Sequence, residues 1–150
     1  MKLLLIYLFF TLLLIAQESP FSLRKKDTIG ELEAKIVTQI AADVLYKSVT
    51  IYVAGETKDF IPFCVENIKI TKNCQEANFI YISKRSEDEL CENKKAIHFT
   101  DNRELFSKNR EFVGLFQWLK GRPNITFSSS RLLMKQLILP KSYEQFIEEF

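Results

Sequence analysis

Short apolar runs, parted by short polar segments with helix-start signals, are the strongest limit on what this chain can fold into. Val49–Val53, Val65–Ile70, Asn78–Ser83, Ala96–Thr100 and Phe112–Lys120 are rich in β-branched and aromatic residues and read as strands. Thr28-Ile29-Gly30-Glu31 has the spacing of a capping box. It opens a helix whose Ile29, Leu32, Ile36, Ile40 and Val44 recur every three or four residues, one apolar stripe through about residue 46. A short helical or irregular piece falls at 57–63. Ser86-Glu87-Asp88-Glu89 repeats the capping signature and starts a short helix through Cys91, and Asp101–Ser107 is a further short helix.

The last third closes the pattern differently. Gly121-Arg122-Pro123 turns the strand Phe112–Lys120, and Asn124–Phe127 returns as the second arm of an antiparallel hairpin. Ser128–Ser130 can cap a helix carrying Leu132, Leu133, Met134, Leu137 and Ile138. Pro140 interrupts it, and Ser142–Phe150 forms a last helical turn. Strands alternating with helices predict an α/β three-layer sandwich, with a mostly parallel central sheet and a C-terminal antiparallel hairpin and helix. With 47% hydrophobic residues and 13 Phe in 150, the chain can build one core over residues 28–150. A formal charge of +2 gives no electrostatic footprint for nucleic acid or an anionic membrane.

Residues 1–27 carry an address rather than a fold. Lys2 leads the apolar run Leu3–Ala16, and Gln17-Glu18-Ser19-Pro20 ends it. As a helix this run would be about 21 Å long, short of the ~30 Å hydrocarbon core of a bilayer. It reads as a signal peptide of residues 1–16 cut after Ala16, followed by a flexible leader at 17–27; an uncleaved anchor is the alternative. Export places Cys64, Cys74 and Cys91 in an oxidising compartment, where they can support one disulfide and leave one thiol. If the strand at 78–83 runs upward, its return segment brings Cys91 down beside Cys74, and that pair would close a loop worth about 3 kcal/mol. Cys64 should sit at the same edge and is the rival partner of Cys74, although Phe60, Ile61 and Phe63 beside it suggest a buried thiol instead; no disulfide at all is the third alternative.

Catalytic motifs are sparse. His98, the one histidine, alternates with Ala96 and Thr100 on one strand face and reads as an ordinary strand residue before a general base. Ser128-Ser129-Ser130 lacks the GxSxG elbow, and the four glycines form no phosphate-binding loop. Glu87-Asp88-Glu89 reads as a solvated helix start, and the sequon Asn124-Ile125-Thr126 falls inside a strand. Phe112, Phe116 and Trp118 share one strand parity and read as core. No cofactor, metal site or catalytic residue is expected.

Three features carry a family resemblance: the strand VTIYVAG ending at Gly55, Cys74 ahead of Phe79-Ile80-Tyr81, and the tail with Arg122 before Asn124–Ser130 and a closing helix. Over about residues 29–148 the chain resembles the YfiR-like family of small periplasmic proteins. The resemblance implies a single-domain, non-enzymatic inhibitor that binds an inner-membrane diguanylate cyclase and releases it on envelope or redox stress. Ile51-Tyr52-Val53 stands where the family frequently has a Cys, and no Cys follows Cys91 to make its second disulfide, so the redox mechanism is not carried over. The leading expectation is thus a periplasmic regulator or adaptor that docks on a membrane-protein sensor, as monomer or homodimer. A structural subunit of an envelope-spanning assembly, such as a flagellar-motor or secretion scaffold, is the alternative. A small-ligand binder using the carboxyl ends of the strands is the third.

Overall fold

A computed structural model describes residues 28–55, 58–64, 66–83 and 91–150. The expected signal peptide at 1–16, the expected leader at 17–27 and the expected helix start at Ser86–Glu89 lie outside the described residues. The chain forms a three-layer α/β sandwich around one seven-stranded sheet. Its elements are α1 (Ile29–Leu45), β1 (Val49–Ala54), β2 (Ile68–Thr71), β3 (Phe79–Ile82), β4 (Ile97–Thr100), α2 (Arg103–Lys108), β5 (Phe112–Leu119), β6 (Arg122–Ser128), α3 (Ser129–Met134) and β7 (Ile147–Glu148). The sheet order is β2-β1-β3-β4-β5-β6-β7; β5 and β6 are antiparallel, and the other neighbours are parallel.

The Thr28 capping box is present in full: the Glu31 N–H donates to Thr28 Oγ1 (3.2 Å) and the Thr28 N–H to Glu31 Oε2 (2.7 Å). Leu32, Ile36, Val37, Ile40 and Val44 of α1 pack on Ile51, Phe79, Phe99, Phe116 and Phe127, the larger of two apolar clusters. The second cluster, on the opposite face, joins Ala54, Ala77, Ile80, Ile82, Ala96, Phe106, Phe112 and Leu115. Handedness places the connections. The β1-to-β2 link, which carries buried Phe60, lies on the α1 face, while the links that walk the other way carry Ala77 and Phe106 on the α2 face. Right-handed crossovers require that split when a sheet is built outward in both directions from its first strand.

Several expectations need correction. The hairpin turns at Lys120-Gly121, both at positive φ (51° and 74°), with Leu119 opposite Arg122. This two-residue turn matches the twist of the strands, so Arg122 and Pro123 belong to β6. Phe112 does not share a face with Phe116 and Trp118. The β4–β5 register slips between His98 and Phe99, leaving Val113 unmatched, and this bulge sends Phe112 to the α2 face and Phe116 to the α1 face. The helix expected to reach Ile138 stops at Met134. Gln136 adopts φ 54°, and the Leu137 N–H donates to Leu132 O at 2.9 Å, a Schellman closure without the usual glycine. Ser128 does not cap α3 through its side chain. Its hydroxyl lies 3.2 Å from Ser130 Oγ. The last helical turn is a 3-10 segment, Lys141–Phe146, and the chain then adds β7 beside β6.

Candidate functional site

The strand order β2-β1-β3-β4-β5 puts a topological switch point at the carboxyl ends of β1 and β3, where open α/β sheets place ligands. Among the described residues, several of the protein's own polar groups meet there. Glu33 of α1 accepts from Tyr81 Oη (2.7 Å) and Trp118 Nε1 (3.4 Å), and Ser83 Oγ donates to Asp101 Oδ2 (3.3 Å). Asp59 lies against the Cα of Gly30 in the first turn of α1, a place where any side chain at position 30 would collide with the carboxylate. The cavity left between Glu33, Asp59, Tyr81 and Ser83 is about 50 Å³, room for a water or two and not for a metabolite.

The α2 face is more open. Cys74 and Cys91 are joined by a disulfide, with their Cα atoms 6.1 Å apart, as the topology argument placed them. The bridge ties the segment after β2 to the segment before β4. Asn93 reinforces it: its Nδ2 donates to the carbonyls of Ala77 (2.9 Å), Cys74 (3.0 Å) and Gln75 (3.3 Å). Cys64 is not a buried thiol. It is exposed: Ile61 and Pro62 face outward, Phe60 is buried and Phe63 packs partly against the core, and none of them covers the thiol. Its Sγ donates to Phe60 O at 3.6 Å, and partial burial pushes the thiol above its ordinary pKa.

Beside the disulfide, Ile82, Cys91, Lys94, His98, Glu111 and Phe112 line a cleft of about 270 Å³. His98 is 3% exposed at its floor. Nδ1 lies 3.1 Å from Ala96 O and Nε2 3.4 Å from Cys91 O, and the ring packs edge-on against Phe112. Burial lowers the imidazole pKa; the two carbonyls and Glu111 work against that shift, and Lys135 works with it. At the rim Lys135 Nζ pairs with Glu111 Oε2 (2.6 Å) and donates to Lys94 O (2.9 Å). The Lys135 ammonium holds the Glu111 carboxyl below its usual value. With both ring nitrogens facing backbone carbonyls, His98 is poised to hold two segments together; among the described residues no nucleophile stands within its hydrogen bonds. Among the described residues no group of three His, Cys, Asp or Glu side chains is placed to hold a metal ion.

A third feature was missed in the sequence because buried cations have no pattern. Arg131 is 6% exposed, with its Cζ 4.3 Å from the centre of the Phe106 ring. Its Nη1 donates to the carbonyls of Phe106 (2.7 Å), Phe112 (2.8 Å) and Asn109 (3.3 Å), satisfying the C-terminal end of α2. Near it the surface is apolar. Leu133 is 80% and Ile138 85% exposed, and Met134 and Phe150 are also exposed.

No protein-family model, curated protein or solved structure matches this chain. The disulfide fits a protein exported to an oxidising compartment. Among the described residues, no helix is long and apolar enough to cross a membrane.

Proposed function

We propose that this chain is an exported periplasmic protein without enzymatic activity, a regulator or adaptor that docks on an inner-membrane signalling protein. The YfiR-like resemblance suggests a sensor of the diguanylate-cyclase type as that partner. The observation that supports the reading is the display of Leu133, Met134 and Ile138. Three large apolar side chains within six residues face solvent on a backbone pinned by the Schellman closure. Clustered exposed apolar side chains of this kind mark protein interaction sites, and rigid presentation lowers the entropy lost on docking.

Affinity capture of the exported protein, followed by mass spectrometry, tests this reading. The expected result is a mature chain beginning at Gln17 that brings down one membrane signalling protein, and a Leu133→Asp/Ile138→Asp variant that folds but loses it. Sedimentation with the components of a large envelope assembly would instead identify a structural subunit and overturn the regulator reading. A membrane-bound chain still beginning at Met1 would overturn the export claim.

A further inference from the structure

Arg131 is held by neutral groups, and no charged group among the described residues pairs with it. Its three Nη1 partners are backbone carbonyls, and among the described residues no carboxylate lies within 4.0 Å of the guanidinium. Nε and Nη2 make no hydrogen bond there. A buried cation normally sits against a carboxylate, because the carbonyl dipoles that position it do not cancel its charge. This one instead borders a cleft of about 440 Å³ between α2 and α3, walled by Ser107, Arg110, Ser130, Met134 and Phe150. That volume lies in the range of small-molecule sites.

The second wall adds another cation. Arg110 follows α2 and lines the same cleft, so two guanidinium groups carried by different segments face one space. Their mutual repulsion, after burial, lowers the pKa of Arg131. The two hydroxyls at the rim already donate elsewhere, Ser107 Oγ to Arg103 O (2.9 Å) and Ser130 Oγ to Phe150 O (3.1 Å). Recognition therefore falls to the guanidinium edges. Two such forks approaching from different directions suit a tetrahedral dianion, whose oxygens are spread in space, better than a planar carboxylate that one fork saturates.

We propose that the cleft between α2 and α3 is an oxyanion site that takes phosphate or a phosphate monoester on the free edge of Arg131 and on Arg110. A monoester would lay its organic body along Met134 and Phe150. The site differs from the switch-point crevice in position and from the disulfide cleft in lining, and it does not depend on the proposed partner.

Calorimetric and amide-shift titrations of the purified protein with inorganic phosphate and with phenyl phosphate test it, using chloride at equal ionic strength as the control. Saturable binding that shifts the amides of Ser107, Arg110 and Ser130, absent with chloride, is the expected result. Arg110→Gln should weaken it about tenfold, and Arg131→Lys, which keeps the charge but loses the fork, by at least as much. Tighter binding of phenyl phosphate assigns a monoester, and equal binding assigns the inorganic ion. If Arg131→Lys fails to fold, Arg110→Gln decides alone, since Arg110 is exposed and makes no hydrogen bond or ion pair among the described residues. The proposal is overturned if chloride reproduces the shifts, or if Arg110→Gln binds phosphate as tightly as the unaltered protein.

Discussion

On the α1 face a seventeen-residue helix joins its apolar stripe to Phe79, Phe99, Phe116 and Phe127 in one buried cluster. Among the described residues, the α2 face carries a six-residue helix over a smaller apolar cluster. There the layer is completed by polar and covalent ties: the Cys74–Cys91 bridge, Asn93 on three carbonyls, Arg131 on three more, and His98 between Ala96 and Cys91. A long amphipathic helix excludes water by area alone, whereas short segments leave backbone groups that need specific partners. Clefts of about 270 and 440 Å³ lie among those ties.

The largest expected effect breaks the α1 face. Phe99 is fully buried, stacks on Phe79 and lies where a Cβ on Gly114 would project. Phe99→Ala should cost about 4 kcal/mol in denaturant unfolding. Gly114→Ala alone should cost about 2 kcal/mol, because the buried ring must move. In the double variant the added methyl enters the space that the ring vacated, so the two costs should be markedly less than additive. Strict additivity would show that the ring does not fill the notch at Gly114.

Next comes the covalent tie. The bridge spans a sequence separation of 17 residues, and Cys74→Ser should destabilise the protein by about 3 kcal/mol in the chain-entropy model. The loss should disappear when the unaltered protein is measured under reducing conditions, where both chains are open. Non-reducing peptide mapping should recover Cys64 alkylated and the other two cysteines joined. A Cys64–Cys74 peptide would move the tie to another edge and remove the contrast between the faces.

A smaller effect runs the other way. Thr38 Oγ1 on α1 is the one buried side-chain polar atom that lacks a hydrogen-bond partner among the described residues. Thr38→Val keeps the shape and removes the unsatisfied hydroxyl, so it should stabilise the protein by about 1 kcal/mol. Unchanged or lower stability would mean that the α1 face is not as dry as its packing indicates.

The same contrast explains what could be read in the chain of letters. α1 and its capping box, the parallel strands and the place of the disulfide follow from periodicity and crossover handedness, which act over a few residues at a time. The bulge at Val113 was not legible, because strand parity assumes an unbroken pleat; nor was the early end of α3, since Gln136 does the work usually marked by glycine. β7 is two residues long and exists only because β6 offers an edge. Arg131 and Asn93 satisfy carbonyls distant in sequence, and a polar letter carries no sign of which distant carbonyl it will reach. Cys91 and His98 of the disulfide cleft could be singled out in the sequence, whereas the cleft bordered by Arg131 stayed out of view.

The subtlest test concerns His98, which sits where the disulfide, β4 and the Glu111–Lys135 pair come together. Burial lowers its folded pKa below the ordinary value of about 6.5, so as pH falls the unfolded chain takes up the proton first. Stability from the neutral ring is therefore complete above about pH 6.5 and is lost as pH drops from there toward the folded pKa. A neutral imidazole has one N–H for two facing carbonyls, Ala96 O and Cys91 O, whereas the cation could donate to both; that moderates the shift without reversing it. Glu111, held low by Lys135, adds its own loss only at more acid pH, around and below the ordinary carboxylate range, so the two windows separate. The melting temperature of the unaltered protein should fall between pH 7.5 and 5.5, and His98→Gln should flatten that interval while leaving the steeper acid limb in place. An unchanged slope in the variant would mean that the proton is taken up elsewhere, and that His98 on the α2 face is held no more tightly than a side chain in water.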